Sequence, residues 1–186
     1  MNAYNVTLFL HFAGMVALFA GYGLEWAASS LLRRATTGDE ARAWLRIYRL
    51  SLPISGPGLL LLILSGGYLA ALTGGMKQGW ISATFLGIIF ALAIGFMLIL
   101  PRVRALRAAL PEGAAPLSPT ARARVQDPVL VTLVRSRAFV ALGIVYLMTL
   151  KPDTLVLSLV VLLVSLIIGA LCAATTWFST STAAKS

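Results

Sequence analysis

The sequence predicts an all-α, polytopic membrane helix bundle with five transmembrane helices and a strongly basic cytoplasmic face. Three observations lead there. Apolar residues make up 59% of the 186 residues and charged residues only 11%, too little charge to cover a soluble globule, which usually carries roughly a quarter charged residues. The apolar residues fall in long blocks, several of them reaching the roughly 20 residues that cross a hydrocarbon core about 30 Å thick. The positive residues are sorted onto alternate connections between those blocks.

The first block runs from about Val6 to Leu32, broken only by His11 and Glu25 and stopped by Arg33 and Arg34. Residues 1–5 lack the positive region of a cleaved signal peptide, and the apolar run outlasts a signal-peptide core, so this reads as a retained helix over 6–32. A second helix is expected over 51–75 and a third over 79–100, with Pro101 marking or kinking its end. A fourth is harder to place, because only 13 uncharged residues separate Arg137 from Lys151. Starting it at Pro128 gives a span over 128–150 but puts Arg135 and Arg137 inside its first turns, where they need headgroups or a partner carboxylate. A fifth is expected over 154–177, with Asp153 as its N-cap and Lys151-Pro152-Asp153 making a tight hairpin. The whole chain, 1–186, then forms one integral-membrane domain.

The connections 33–50 and 101–127, with their flanks, hold Arg33, Arg34, Arg42, Arg46, Arg49, Arg102, Arg104, Arg107, Arg122, Arg124, Arg135 and Arg137; the other side holds only Lys77 and Lys151, and Lys185 lies in the tail. By the positive-inside rule the twelve arginines are cytoplasmic, the N-terminus is outside and the C-terminus inside, as in a multi-pass protein of the bacterial inner membrane. Within 33–50, Thr37 and Glu40 have capping-box spacing. The helix they start puts Ala41, Trp44, Leu45 and Tyr48 on one face and Arg42, Arg46 and Arg49 on another. Arg42, Trp44, Arg46, Tyr48 and Arg49 therefore suit an interface with anionic lipid or with a partner protein. The prolines at 111, 116 and 119 forbid a single helix over 102–137. Orientation already accounts for the basic charge, so no nucleic-acid partner is expected.

Small residues recur every four positions: Ala13, Ala17 and Gly21; Gly66, Ala70 and Gly74; Gly87, Ala91 and Gly95; Ser165, Gly169 and Ala173. Such ridges let helix backbones approach closely in lipid, within a bundle or between subunits. Ser55-Gly56-Pro57-Gly58 is the strongest local irregularity, where a kink or unwound turn is expected at the entry to the second helix.

His11 and Glu25 are the ionisable residues inside the spans, and such residues are candidates for function. Fourteen positions apart, they share a helix face with Gly14, Leu18 and Gly21 between them, and about 21 Å separates them along the axis. They read either as two stations on a polar path, or as a hydrogen-bonded interfacial histidine and a carboxylate paired with Arg33, Arg135 or Arg137. The rest of the chemical inventory is sparse. One histidine precludes bis-histidine haem ligation within a chain, Cys172 is the single cysteine, and Met15, Met76, Met97 and Met148 are scattered. With no zinc cluster, nucleotide loop, HExxH or nucleophile elbow, no catalytic residue, metal or cofactor is expected.

Three stretches carry a family resemblance: Leu10-His11-Phe12-Ala13-Gly14-Met15, Pro57-Gly58-Leu59-Leu60-Leu61 through Ser65-Gly66-Gly67-Tyr68, and Leu147-Met148-Thr149-Leu150-Lys151-Pro152-Asp153. Together they resemble uncharacterised bacterial integral-membrane proteins distantly similar to the copper-resistance D type. The resemblance implies a multi-helix bundle with His11 in its first helix. Copper handling in the better-known relatives calls for further histidine or methionine ligands, which this chain does not supply. The expected function is a non-enzymatic structural or accessory subunit of a larger membrane complex, in contact with other membrane subunits or with itself. The alternative is a small transporter or channel-like protein for a metal ion, proton or small solute that uses His11 and Glu25.

Overall fold

The computed structural model describes residues 2–72 and 75–183, with side chains of 76 and 176–183 not described. Gly74 of the second small-residue ridge and Lys185 of the tail lie outside the described residues. The chain forms α1 (Ala3–Leu32), α2 (Gly38–Leu50), α3 (Leu52–Leu72), a 3-10 turn (Gly75–Lys77), α4 (Gly79–Ala93), a π turn (Ile94–Ile99), α5 (Leu100–Ala109), α6 (Pro119–Val125), α7 (Pro128–Leu150) and α8 (Leu155–Ala183). Among the described residues there is no strand, only an isolated bridge between Thr37 and Pro116. Five helical stretches are long and apolar enough to cross a membrane: Ala3–Leu32, Gly38–Leu72, Gly79–Ala109, Pro119–Leu150 and Leu155–Thr175. Large apolar side chains such as Phe9, Val16, Leu64, Met97, Val156 and Leu171 stay exposed, as they must where the solvent is hydrocarbon and helices carry their own backbone hydrogen bonds.

Without a hydrophobic drive between helices in lipid, close contact has to come from small side chains. On α1 the closest approaches are at Gly14 and Gly21. A Cβ at Gly14 would stand 2.8 Å from the Gly58 carbonyl oxygen, and one at Gly21 only 2.5 Å from the Ser55 Cβ. Ala17 joins this seam, 2.8 Å from where a Gly58 Cβ would be, while Ala13 is half-buried beside it. Ser55-Gly56-Pro57-Gly58 is therefore not an interruption. Pro57 sits inside a continuous α3, and the small residues around it are the surface that α1 presses on. Gly87 of α4 meets Ile144 and Leu162, and Gly169 of α8 meets the backbone of Ser136. Ala91 and Ala173 are buried, and Ser165 packs where a Gly143 Cβ would be. Gly66 lies against His11.

Three boundaries differ from the sequence expectation. The third span does not end at Pro101: α4 continues through the π turn into α5 as far as Ala109. The Leu100 N–H reaches back five residues to the Gly95 carbonyl, and this wider turn makes room for a proline ring that would clash in a regular helix. The Arg102 guanidinium then donates to the Leu98 carbonyl at 2.8 Å. At the last hairpin, Thr154 rather than Asp153 caps the helix, accepting the Leu157 N–H at 3.2 Å, because Lys151 ends α7 in the left-handed region (φ 46°) and displaces the start of α8.

The third difference is at the basic end, where 33–50 and 101–127 are not two independent surface segments. They fold onto each other around a small core of Leu32, Ala35, Ala41, Leu45, Leu106, Leu117, Ala121 and Val125, with Trp44 packed against it. Gly38 N–H donates to the Ala115 carbonyl and Leu117 N–H to the Thr36 carbonyl. Arg42 donates to the Pro111 carbonyl, and to the Gly113 carbonyl at 2.9 Å. Thr37 caps α2, while the Glu40 carboxylate accepts from the Thr36 N–H at 2.8 Å. Arg42, Trp44 and Tyr48 therefore face the chain's own cap or bundle, and only Arg46 and Arg49 of that expected interface remain exposed. The apolar stripe of α2 found its partner within the same chain.

The α1–α3 seam makes a direct test. Gly21→Ala is expected to destabilise by about 1–3 kcal/mol through overpacking, whereas Gly23→Ala, with no atom within 4 Å of the added Cβ, should hold or raise the melting temperature. Thermal unfolding of both variants in detergent decides it, and equal melting temperatures would dismiss the close-approach account.

Candidate functional site

Two polar centres lie inside the spans, one toward each end. Nearer the basic end, α1 carries Tyr22, Glu25 and Trp26 within about one turn, so all three reach the same neighbours. Glu25 is 6% exposed. Its carboxylate pairs with the Arg137 guanidinium and accepts from the Ser51 hydroxyl at 2.9 Å. Arg137 lies 4.6 Å over the Tyr22 ring. It fits there because residue 95 is glycine: a Cβ at Gly95 would stand 2.7 Å from an Arg137 terminal nitrogen. One helical turn is enough to place Arg135 over Trp26, at 4.9 Å, where it donates to the Cys172 carbonyl of α8.

The arginines that made the fourth span hard to place are thus buried rather than stretched toward headgroups. Nine residues beyond Pro128, Arg137 lies about 13 Å along α7, and it meets the partner carboxylate that burial requires. Ser51, 1% exposed at the α2–α3 junction, has one hydroxyl proton, shared between the Glu25 carboxylate and the Tyr48 carbonyl at 2.7 Å. Ile94, Ile99, Leu130 and Val134 pack together beside Tyr48.

The second centre is a cavity of about 340 Å³ between α1, α3, α4 and α7, toward the end that carries Lys151. Its walls are mostly apolar, with His11, Thr84 and Trp80 among the exceptions and Ala70 in the lining. His11 Nδ1 is 3.1 Å from the Ser65 hydroxyl, which itself donates to the Leu61 carbonyl. Lys151 stands 5.8 Å over the Trp80 ring, and Trp80 Nε1 donates to Gln78 at 2.7 Å.

His11 and Glu25 therefore share a helix face, as their spacing implies, but belong to different centres. Between them Gly14 and Gly21 are pressed against Gly58 and Ser55, and the His11 cavity reaches along α1 as far as Leu18 and Phe19. Ser51, Ser65, Thr84 and Gly95 complete the centres; the sequence marks Gly95 only as part of a small-residue ridge and Ser65 only within a stretch of family resemblance, and nothing in it marks Ser51 or Thr84. Among the described residues no group of three or more His, Cys, Asp or Glu could hold a metal ion.

Removing one partner of a buried ion pair strands the other charge, at a cost of about 3–5 kcal/mol. Glu25→Gln and Arg137→Gln are each expected to unfold at markedly lower temperature, with the double variant recovering part of the loss. Strict additivity in that double-mutant cycle would contradict the pairing.

Over residues 5–152 the chain matches the family model described as "Predicted integral membrane protein (DUF2269)", and it belongs to that family. No curated protein and no solved structure matches it. The expected similarity to the copper-resistance D type is not shown by this match.

Proposed function

We propose that this DUF2269 protein is a non-enzymatic accessory subunit of a larger assembly in the bacterial inner membrane, with its basic cap in the cytoplasm. The N-terminus is then outside and the C-terminus inside, as ten arginines in and flanking the cap against Lys77 and Lys151 at the other end favour. The observation that carries the reading is the cap. Two distant segments spend their apolar faces on a shared core and leave Arg46, Arg49, Arg104, Arg107, Arg122 and Arg124 exposed on a folded support. Such a surface is complementary to an acidic partner subunit, with anionic headgroups at its rim.

The intramembrane charges support the same reading. Glu25 and Arg137 are engaged with each other, an arrangement that holds helices together rather than one poised to exchange a proton or ion. Transport through His11 and Glu25 draws less support, because the packed glycine seam lies between them. Unchanged liposome flux for His11→Ala and Glu25→Gln is the expected result.

Extraction in mild detergent and native electrophoresis should give a species larger than the 19.7 kDa chain in its detergent belt. Arg104→Glu with Arg107→Glu should release the partner while leaving the melting temperature unchanged. A wild-type protein migrating only as a free monomer would overturn the proposal. For orientation, a C-terminal fluorescent-protein fusion should fluoresce and a C-terminal alkaline phosphatase fusion should be inactive.

A further inference from the structure

We propose that the cavity beside His11 binds a lipid-soluble ring compound bearing hydroxyl groups, of the quinol or phenol class, with His11 as hydrogen-bond acceptor and Thr84 as donor. The space, about 340 Å³, is at the lower end of the range for small-molecule sites, and an apolar wall with a few fixed polar groups is what such sites have in common. Its size suits a substituted single ring.

The polarity of the site follows from proton counting. The Ser65 hydroxyl has one proton and donates it to the Leu61 carbonyl, so toward His11 its oxygen can only accept. His11 Nδ1 must then carry the imidazole proton across the 3.1 Å contact. A neutral imidazole with its proton on Nδ1 leaves Nε2 as a lone-pair acceptor. Thr84 supplies the complement. It is 6% exposed and lines the cavity, and its buried hydroxyl has no hydrogen-bond partner among the described residues. A helical threonine commonly turns its hydroxyl onto the carbonyl four residues back; this one has not, and because its oxygen is enclosed by neighbouring atoms, a turn about χ1 is needed to present its proton to a ligand.

His11 Nε2 as acceptor and Thr84 as donor, in a mostly apolar space with the Lys151 ammonium held over Trp80 in its lining, favour a ring ligand that can both donate and accept. A ring diol does this, donating to His11 Nε2 and accepting from Thr84. The corresponding dione has only acceptor oxygens, so it can be held by Thr84 but places an oxygen lone pair against Nε2. The site should therefore prefer the reduced ring to the oxidised one. A lipid acyl chain could fill the same volume but would leave both polar groups unmatched.

The test uses the full chain in lipid nanodiscs, with decylubiquinol and decylubiquinone as paired probes under anaerobic conditions and retention on empty nanodiscs subtracted. Saturable binding is expected, tighter for the quinol by about tenfold, the equivalent of one hydrogen bond. His11→Ala should bring quinol affinity down to that of the quinone, and Thr84→Val should weaken both. Gly67 lines the cavity with no atom within 4 Å of an added Cβ, so Gly67→Leu should fill the space, keep the fold and abolish binding. Retention no greater than on empty nanodiscs, equal affinity for both probes, or full binding by a folded Gly67→Leu would each overturn the proposal.

Discussion

A charge inside a hydrocarbon layer has to be neutralised within reach of its own side chain, and here that constraint fixes the bundle at the Glu25–Arg137 pair. The pair joins α1 to α7, and the second carboxylate oxygen takes the Ser51 hydroxyl at the α2–α3 junction. Arg137 needs the glycine of the π turn beside it. Four separate stretches of chain are thereby brought to one point. Arg135, two residues earlier on α7, adds α8 through the Cys172 carbonyl. Hydrogen bonds and aromatic faces take the place of water around these guanidinium groups, although the buried Arg137 Nε has no hydrogen-bond partner among the described residues. The small-residue seams act with the pair, since α1 can deliver Glu25 to α7 only if α3 lies close enough to place Ser51.

The cap and the bundle use different physics on one continuous chain. In the spans, apolar side chains face outward and polar ones are paired inward. In the cap, water restores the ordinary arrangement, with Leu45, Leu106, Leu117 and Val125 inside and arginines outside. The crossover occurs within single helices: α1 contributes Leu32 to the cap core, and the helix through α4 and α5 reaches the same core at Leu106. The cap is therefore joined to the membrane unit by continuous helices.

The two polar centres are also unlike in kind. The one around Glu25 is crowded, with its charges engaged, and its chemistry is cohesion. The one around His11 has space, an orienting serine and a hydroxyl without a partner. It lies in the half of the bundle that carries Lys151, where His11 still meets α3 at Ser65 and Gly66. The bundle is thus closely packed at the cap end and holds a cavity at the Lys151 end.

Long apolar blocks and sorted arginines determine the all-α class, the five spans and the grouping of basic residues, because hydrophobic length and charge are properties of the sequence taken one segment at a time. The Thr37 cap and the start of α7 at Pro128 are legible for the same reason: each depends on residues within one turn. The pairing of Glu25 was narrowed to three arginines, and tertiary structure chose Arg137, since the choice depends on helix rotation and on the space at Gly95. The π turn, the inward docking of Trp44 and Tyr48, and the meeting of Ser65 and Thr84 with the His11 cavity were likewise decided in three dimensions. Each requires knowing which face of a helix meets which neighbour, and in a lipid-facing helix, apolar all round, periodicity does not mark that face.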